Sequence, residues 1–391
     1  MKRLILLGSI LFAFATVAFS NTHAAVTDNS KVVKETTHNV RTPETKIQVA
    51  ILLDTSSSMD GLIEQTKARL WNIVNTLTTL KFNGKTPRIE IAIYEYGNNN
   101  IPSSADYIRQ VTPLTSDLDL ISEKLFALTT YGGDEYCGTV IDRAVRRLDW
   151  GNSRSDMKLI YIAGNEPFTQ GNISYKTAIA NALEKGVYVH TIHCGRQSEG
   201  IEGKWRDGAV RGKGKFFNID HNVRIRHYDT PYDDRIGLCN ERLNATYIGY
   251  GSMGYARKDN QARQDRNAKG ISNANMAERA VSKLSAVYDN SSWDLVDRVK
   301  NDKNAWAEIE QSELPKELQN KSKEDLQKLI SEKEAERTAI QKEINELAKK
   351  RQQYIDEQKK KEGDATGDDL GKAINESILA LAQEKGYTIG N

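Results

Sequence analysis

The residues best equipped for chemistry lie in the stretch ILLDTSSSMDG, Ile51 to Gly61. Asp54, Ser56 and Ser58 form a D-x-S-x-S pattern between an apolar run and a helical one. One carboxylate and two hydroxyls make a hard-oxygen set, suited to Mg²⁺, Mn²⁺ or Ca²⁺ rather than to soft metals. Three oxygens do not complete the shell of such an ion, so other loops, water or an outside ligand must supply the rest. The hydroxyls are neutral, so an ion held mainly by them keeps positive charge and can recruit an external carboxylate. The same residues also serve a plainer purpose, because Ser and Asp oxygens cap free helix N–H groups. A site of this shape can exist without a metal.

Further oxygens lie in two loops. GGDEYCGT carries Asp134 and Glu135, and YIAGNEPF carries Asn165 and Glu166 between turn-forming Gly164 and Pro167. RHYDTPYDDRI places Asp229, Asp233 and Asp234 among tyrosines, a pattern better suited to an aromatic corner than to a second cation loop. YVHTIHCG sets His190 and His193 beside Cys194 at metal-like spacing, but on a strand alternate residues face opposite ways, so sheet packing is the favoured reading. No Ser/His/Asp or Cys/His arrangement, Walker-type glycine loop or H-E-x-x-H motif is legible, which weighs against an enzyme.

The elements that must position these residues follow from periodicity. KIQVAILLD reads as a buried strand ending at Asp54. LIEQTKARLWNIVNTLTTL repeats apolar residues at helical spacing. RIEIAIYEYG, MKLIYIAG, VYVHTIHCG and GKFFNID read as further strands. DLDLISEKLFALTTY, TVIDRAVRRLDW and SYKTAIANALEKG read as helices, the last closed by Gly186. Alternating strands and helices predict an α/β fold with a mostly parallel sheet, in which ligands bind beyond the carboxyl ends of the strands. Asp54 stands at one such end.

These stretches together resemble the von Willebrand factor type A (VWA) family over roughly Lys46 to Asp220. D-x-S-x-S is similar to that family's metal-ion-dependent adhesion site (MIDAS). TPLTSDLDLISEKLFALTTYGGDEYCGTVIDRAV resembles its second-loop region, GVYVHTIHCG its fifth strand, and RDGAVRGKGKFFNID its last helix and strand. The resemblance implies a doubly wound, mostly parallel sheet flanked by helices. It implies that Asp54 acts largely through water while Ser56 and Ser58 coordinate directly, and that a second-loop threonine joins them, for which Thr139 is the candidate. The family's fourth-strand aspartate is missing, because Gly164 or Asn165 occupies its place. Glu135 or Glu166 can restore the lost charge. The expected metal set is therefore Asp54, Ser56, Ser58, Thr139, Asn165, Glu135 and Glu166, holding a divalent cation, Mg²⁺ first and Mn²⁺ or Ca²⁺ as alternatives.

The chain has 391 residues, 38% hydrophobic and 28% charged. MKRLILLGSILFAFATVAFS has a basic start, an apolar run from Leu4 to Phe19 and small residues after it, the pattern of a secretory signal cleaved after Ser20 or Ala24. The 55 basic residues against 53 acidic ones give +2, and removal of Lys2 and Arg3 leaves a balanced chain, unlike a nucleic-acid binder. Cys137, Cys194 and Cys239 allow one bridge with one thiol left over. Asn244 heads a glycosylation sequon, NAT.

The expected organisation is a signal peptide over 1–24, a linker over 25–45, a VWA domain over 46–220, an irregular or partly helical accessory extension over 221–310 packed on it, and a charged helical region over 311–391. In that last region Leu326, Leu329, Ile330, Ile340, Ile344, Leu347 and Ile355 form a thin stripe, interrupted by Lys333, Arg337 and Arg351. The interruptions favour a helix lying on the body, or a helical hairpin, over a dimeric coiled coil. The functional expectation is a periplasmic or secreted, non-catalytic module that grips a partner's acidic side chain through the cation. The alternatives are a metal-free structural envelope protein with a degenerate site and, third, a metal-assisted hydrolase.

Overall fold

The computed structural model describes residues 44–220, 227–362 and 370–390. The expected signal segment and all but the last two residues of the expected linker lie outside the described residues.

Strand β1 (Lys46–Asp54) is followed by helix α1 (Asp60–Thr78), the short β2 (Leu80–Lys81), β3 (Arg88–Tyr96) and β4 (Arg109–Thr115). Then come α2 (Leu118–Phe126), α3 (Cys137–Arg147), β5 (Met157–Gly164), α4 (Tyr175–Glu184) and β6 (Val187–Cys194). Two short helices, α5 (Gln197–Glu202) and α6 (Trp205–Arg211), lead into β7 (Lys213–Ile219). The sheet runs β4-β3-β1-β5-β6-β7. Every neighbouring pair is parallel except β3 and β4. The chain passes from β1 to β3 on one side and later to β5 on the other, so the winding reverses beside β1. That reversal opens a crevice at the end of β1, where Asp54 sits.

Both faces of the sheet are covered, as an unbroken apolar strand demands. Along β1, Ile47, Val49 and Leu53 join one hydrophobic layer, while Ala50 and Leu52 join the other. The first layer takes Trp71 and Leu77 of α1 and Ile121 of α2. The second takes Val140 and Ala144 of α3, Ile179 of α4 and Trp205 of α6. The edge strand β4 was not foreseen: RQVTPLT contains a proline and polar residues, tolerated because this strand pairs on one side only.

The remaining chain is helical: α7 (Asp233–Asn244), α8 (Gly254–Ile271), α9 (Asn273–Ser282), α10 (Leu295–Asn301), α11 (Lys323–Glu362) and α12 (Leu370–Glu384), closed by β8 (Thr388–Ile389). The extension expected to be irregular or partly helical is helical over most of its described length. α8 buries Asn260, Gln261, Gln264 and Asp265, so its inner face is polar and carries no apolar period to read. These groups meet a buried charge network. Arg279 of α9 donates to Asp119 of α2, to Asp265 at 3.1 Å and to the Tyr288 phenol at 3.2 Å, with its guanidinium 4.4 Å from the Trp71 ring of α1. Lys283 donates to Asp265 at 2.7 Å. Burial raises the Asp265 carboxyl, but Lys283 and Arg279 outweigh it and hold the group well below the usual carboxylate range.

α11 lies on the body, packed against α7, α9 and α10. Ile340, Ile344 and Leu347 enter the main core, and Leu326 and Ile330 enter a smaller one with Leu295 and Val296. The two arginines that break the stripe are themselves buried. Arg337 pairs with Asp294 at 2.8 Å and Asp297 at 2.6 Å, and Arg351 with Asp233 at 2.8 Å. α12 packs on α1, and β8 pairs antiparallel with β2.

Candidate metal centre

β1 delivers Asp54 to the crevice fully buried. Its Oδ1 accepts the Ser56 N–H at 2.7 Å, a side-chain-to-backbone turn that sends the chain sharply into α1. Its Oδ2 is buried with no hydrogen-bond partner. The next residue ties three loops together: Thr55 N–H donates to the Tyr96 carbonyl at 2.9 Å, and the Thr55 carbonyl accepts from Tyr131 N–H at 2.9 Å. The end of β3 and the loop before α3 are therefore pinned against the Asp54 turn.

Two glycines leave room for the carboxylate. Gly97 has φ +77°, and a Cβ there would lie 2.7 Å from Glu135 Cγ and 2.9 Å from Asp54 Oδ1. A Cβ on Gly164 would meet the Tyr96 hydroxyl at 2.5 Å and Asp54 Oδ2 at 3.0 Å. Gly97 and Tyr96 were not anticipated as parts of the site; the one signal is a glycine directly after the strand YEY.

Glu135 is 5% exposed, and its Oε2 also lacks a partner. Asn165 follows β5 and donates through Nδ2 to Ser58 Oγ at 3.2 Å, leaving its buried Oδ1 without a partner. The Ser56 and Ser58 hydroxyls are 3.4 Å apart. Ser56 is buried and Ser58 exposed, so the set opens to solvent on one side. Three residues gathered at the end of β1 thus each carry a buried acceptor oxygen without a hydrogen-bond partner. Each unmet acceptor costs about 1–3 kcal/mol, a cost that a cation bound among them would offset. The residues present fit a hard divalent ion.

The electrostatics agree. Burial, above all, pushes the Asp54 carboxyl up to about 7; Ser56 lowers it and Glu166 raises it. Burial and then the charges of Asp54 and Glu166 push Glu135 up to about 8, against a lowering contribution from Ser56. The charged neighbours acting on this pair are acidic, Glu166 and Asp134 included.

The remaining expected ligands make no hydrogen bond to these donors among the described residues. Glu166 is exposed and accepts from Gln170 at 3.3 Å, acting on the pair through charge. Thr139 is buried in the first turn of α3, and no hydrogen bond among the described residues links it to Asp54, Glu135 or the serines. Among the described residues no three His, Cys, Asp or Glu side chains converge as a metal cage, so the candidate donors are a mixed set of carboxylates, hydroxyls and an amide.

His190 stacks on Tyr161 at 4.7 Å and accepts the Lys215 N–H at 3.1 Å, whereas His193 pairs with Asn218 at 2.9 Å. The three cysteines are free and buried, so the one bridge their number allows is not formed. Cys137 belongs to one face of the sheet and Cys194 and Cys239 to the other.

A central parallel sheet with an acid at the switch point and helices on both faces defines a doubly wound α/β domain. Residues 48–202 match the family model of the von Willebrand factor type A domain, so the chain contains a domain of this type. Solved structures with similarity include proximal thread matrix protein 1 from the mussel byssus with a zinc-occupied MIDAS motif, at 15% identity and TM-score 0.36, covering 46% of this chain and 43% of that one. The chain therefore spans less than half of the byssus protein. BatB from Bacteroides thetaiotaomicron matches at 19% identity and TM-score 0.34, covering 44% of this chain and 90% of that one. The SpRpn10 VWA domain matches at 19% identity and TM-score 0.34, covering 45% and 89%. No curated protein matches the chain.

Proposed function

We propose that this protein is an exported, non-catalytic binding module that holds a divalent cation at the strand ends and presents it to a protein partner. Asp54, Ser56, Ser58, Glu135 and Asn165 would hold the ion, Mg²⁺ first and Mn²⁺ or Ca²⁺ as alternatives. When bound, the ion supplies Lewis acidity toward an outside oxygen. The observation that carries the reading is that three residues gathered at the end of β1 each hold a buried, unpartnered oxygen, Asp54 Oδ2, Glu135 Oε2 and Asn165 Oδ1. The exposed Ser58 and Tyr131, the latter 56% exposed, give the crevice an accessible rim. The partner's contribution read from the sequence alone is an acidic side chain.

Export to the periplasm or beyond rests on the sequence of residues 1–24. Among the described residues no helix is long and apolar enough to cross a membrane. The competing reading, a metal-free structural protein, is favoured by the missing fourth-strand acid, since Asn165 brings no charge.

Calorimetric titration of the purified protein with Mg²⁺, Mn²⁺ and Ca²⁺, beside Asp54→Ala, decides between them. Heat in the wild type that disappears in the folded variant is the expected outcome. A folded wild type that binds none of the three ions refutes the proposal and leaves the structural reading.

A further inference from the structure

We infer that Glu135 makes the cation site charge-complete, so that a partner reaches the ion with a neutral oxygen and not with an acid. The inference rests on the cation reading above and changes its partner chemistry. Two carboxylates, Asp54 and Glu135, both at least nine-tenths buried, each aim an unpartnered oxygen into one crevice. Glu135 Cγ and Asp54 Oδ1 lie 2.7 and 2.9 Å from the same point, the place a Gly97 Cβ would occupy. Together they balance a divalent charge.

The rim adds to this. Asp134 and Glu166, both exposed, are the acids whose charge reaches Glu135 next after Asp54, Glu166 more strongly than Asp134. A third carboxylate entering from a partner would make the loaded site negative inside an acidic rim, and like charges at such range repel strongly in a partly desolvated crevice. An amide, hydroxyl or backbone carbonyl completes the shell without that cost, and basic residues flanking it on the partner would complement Asp134 and Glu166.

The test uses Mn²⁺ and acetate as probes on the full mature chain. Mn²⁺ affinity is measured by calorimetry for the wild type, Glu135→Gln and Glu135→Thr, with folding checked by circular dichroism. Paramagnetic broadening of the acetate methyl resonance then reports carboxylate entry to the Mn²⁺-loaded protein. Loss of one charged ligand should weaken Mn²⁺ binding by roughly tenfold or more in both variants. Acetate should be broadened by the loaded variants and not by the loaded wild type. Equal Mn²⁺ affinity in the wild type and both variants overturns the role of Glu135 while leaving the cation reading standing. So does acetate broadening that is strongest in the wild type or missing from every protein. A wild type that binds no Mn²⁺ overturns both.

Discussion

Replacing Arg279 with Met tests how the helical extension is bolted to the VWA domain. Arg279 is fully buried and joins four elements: its own α9, α8 through Asp265, α2 through Asp119 and α1 through Trp71. Methionine keeps much of the apolar stem but removes the guanidinium. Asp265 keeps Lys283 as its partner, whereas Asp119 is left buried with the Tyr288 hydroxyl at 2.7 Å as its remaining side-chain donor. Breaking a buried pair while stranding one charge costs about 3–5 kcal/mol. Urea unfolding followed by fluorescence of the buried Trp71 and Trp293 should show that loss. Adding Asp119→Asn removes the stranded charge, so the double variant should recover about 2 kcal/mol relative to additivity. Mn²⁺ binding at Asp54 should be unchanged, because none of these groups touches the crevice. A loss under about 1 kcal/mol, or strict additivity, would refute the claim that this pair carries the junction.

Three other outcomes are expected. His190 is held neutral by burial and, secondarily, by Lys215, with its folded value lowered to about 3, against about 6.5 unfolded. Below about 6.5 the unfolded chain takes up a proton that the folded one refuses, so stability falls by up to about 1.4 kcal/mol per pH unit toward pH 3; His190→Gln should flatten that slope in urea titrations, and an unchanged slope rejects the assignment. Gly97→Ala places a methyl against Glu135 and Asp54 at a positive φ, costing about 1–3 kcal/mol and abolishing the Mn²⁺ heat. Tyr387→Ala removes a buried ring that donates to the Ser155 carbonyl at 2.7 Å and packs on Phe82; a loss of about 3–5 kcal/mol is expected in thermal and urea unfolding, and a loss below about 1 would show that the C-terminal strap is dispensable.

The α/β class was legible because β1, β5 and β6 are buried on both faces and so read as continuous apolar runs, while α1 and α4 keep a clear helical period. Helices α7 and α8 were not, because their inner faces carry Asp, Asn and Gln. A polar residue looks solvent-facing until its partner, distant in sequence, is known. Arg337 and Arg351 show the same thing: as breaks in an apolar stripe they argued against a coiled coil, yet the acids that receive them, Asp294, Asp297 and Asp233, lie about 40 to 118 residues away.

For the candidate site, sequence alone determined that an acid and two hydroxyls stand at the end of a buried strand, since that depends only on local order and spacing. Tertiary structure decided which other oxygens stand with them. Glu135 meets Asp54 because the loop before α3 is pinned to Thr55 through Tyr131, and because Gly97 leaves the space for both. Asn165 joins because β5 lies beside β1 in the sheet, while the neighbouring Glu166 turns outward to solvent. Spacing along a chain gives the chemistry of each donor; only the pairing of strands and the close approach of loops decides which donors could share one ion, and therefore what charge such an ion would have left to offer a partner.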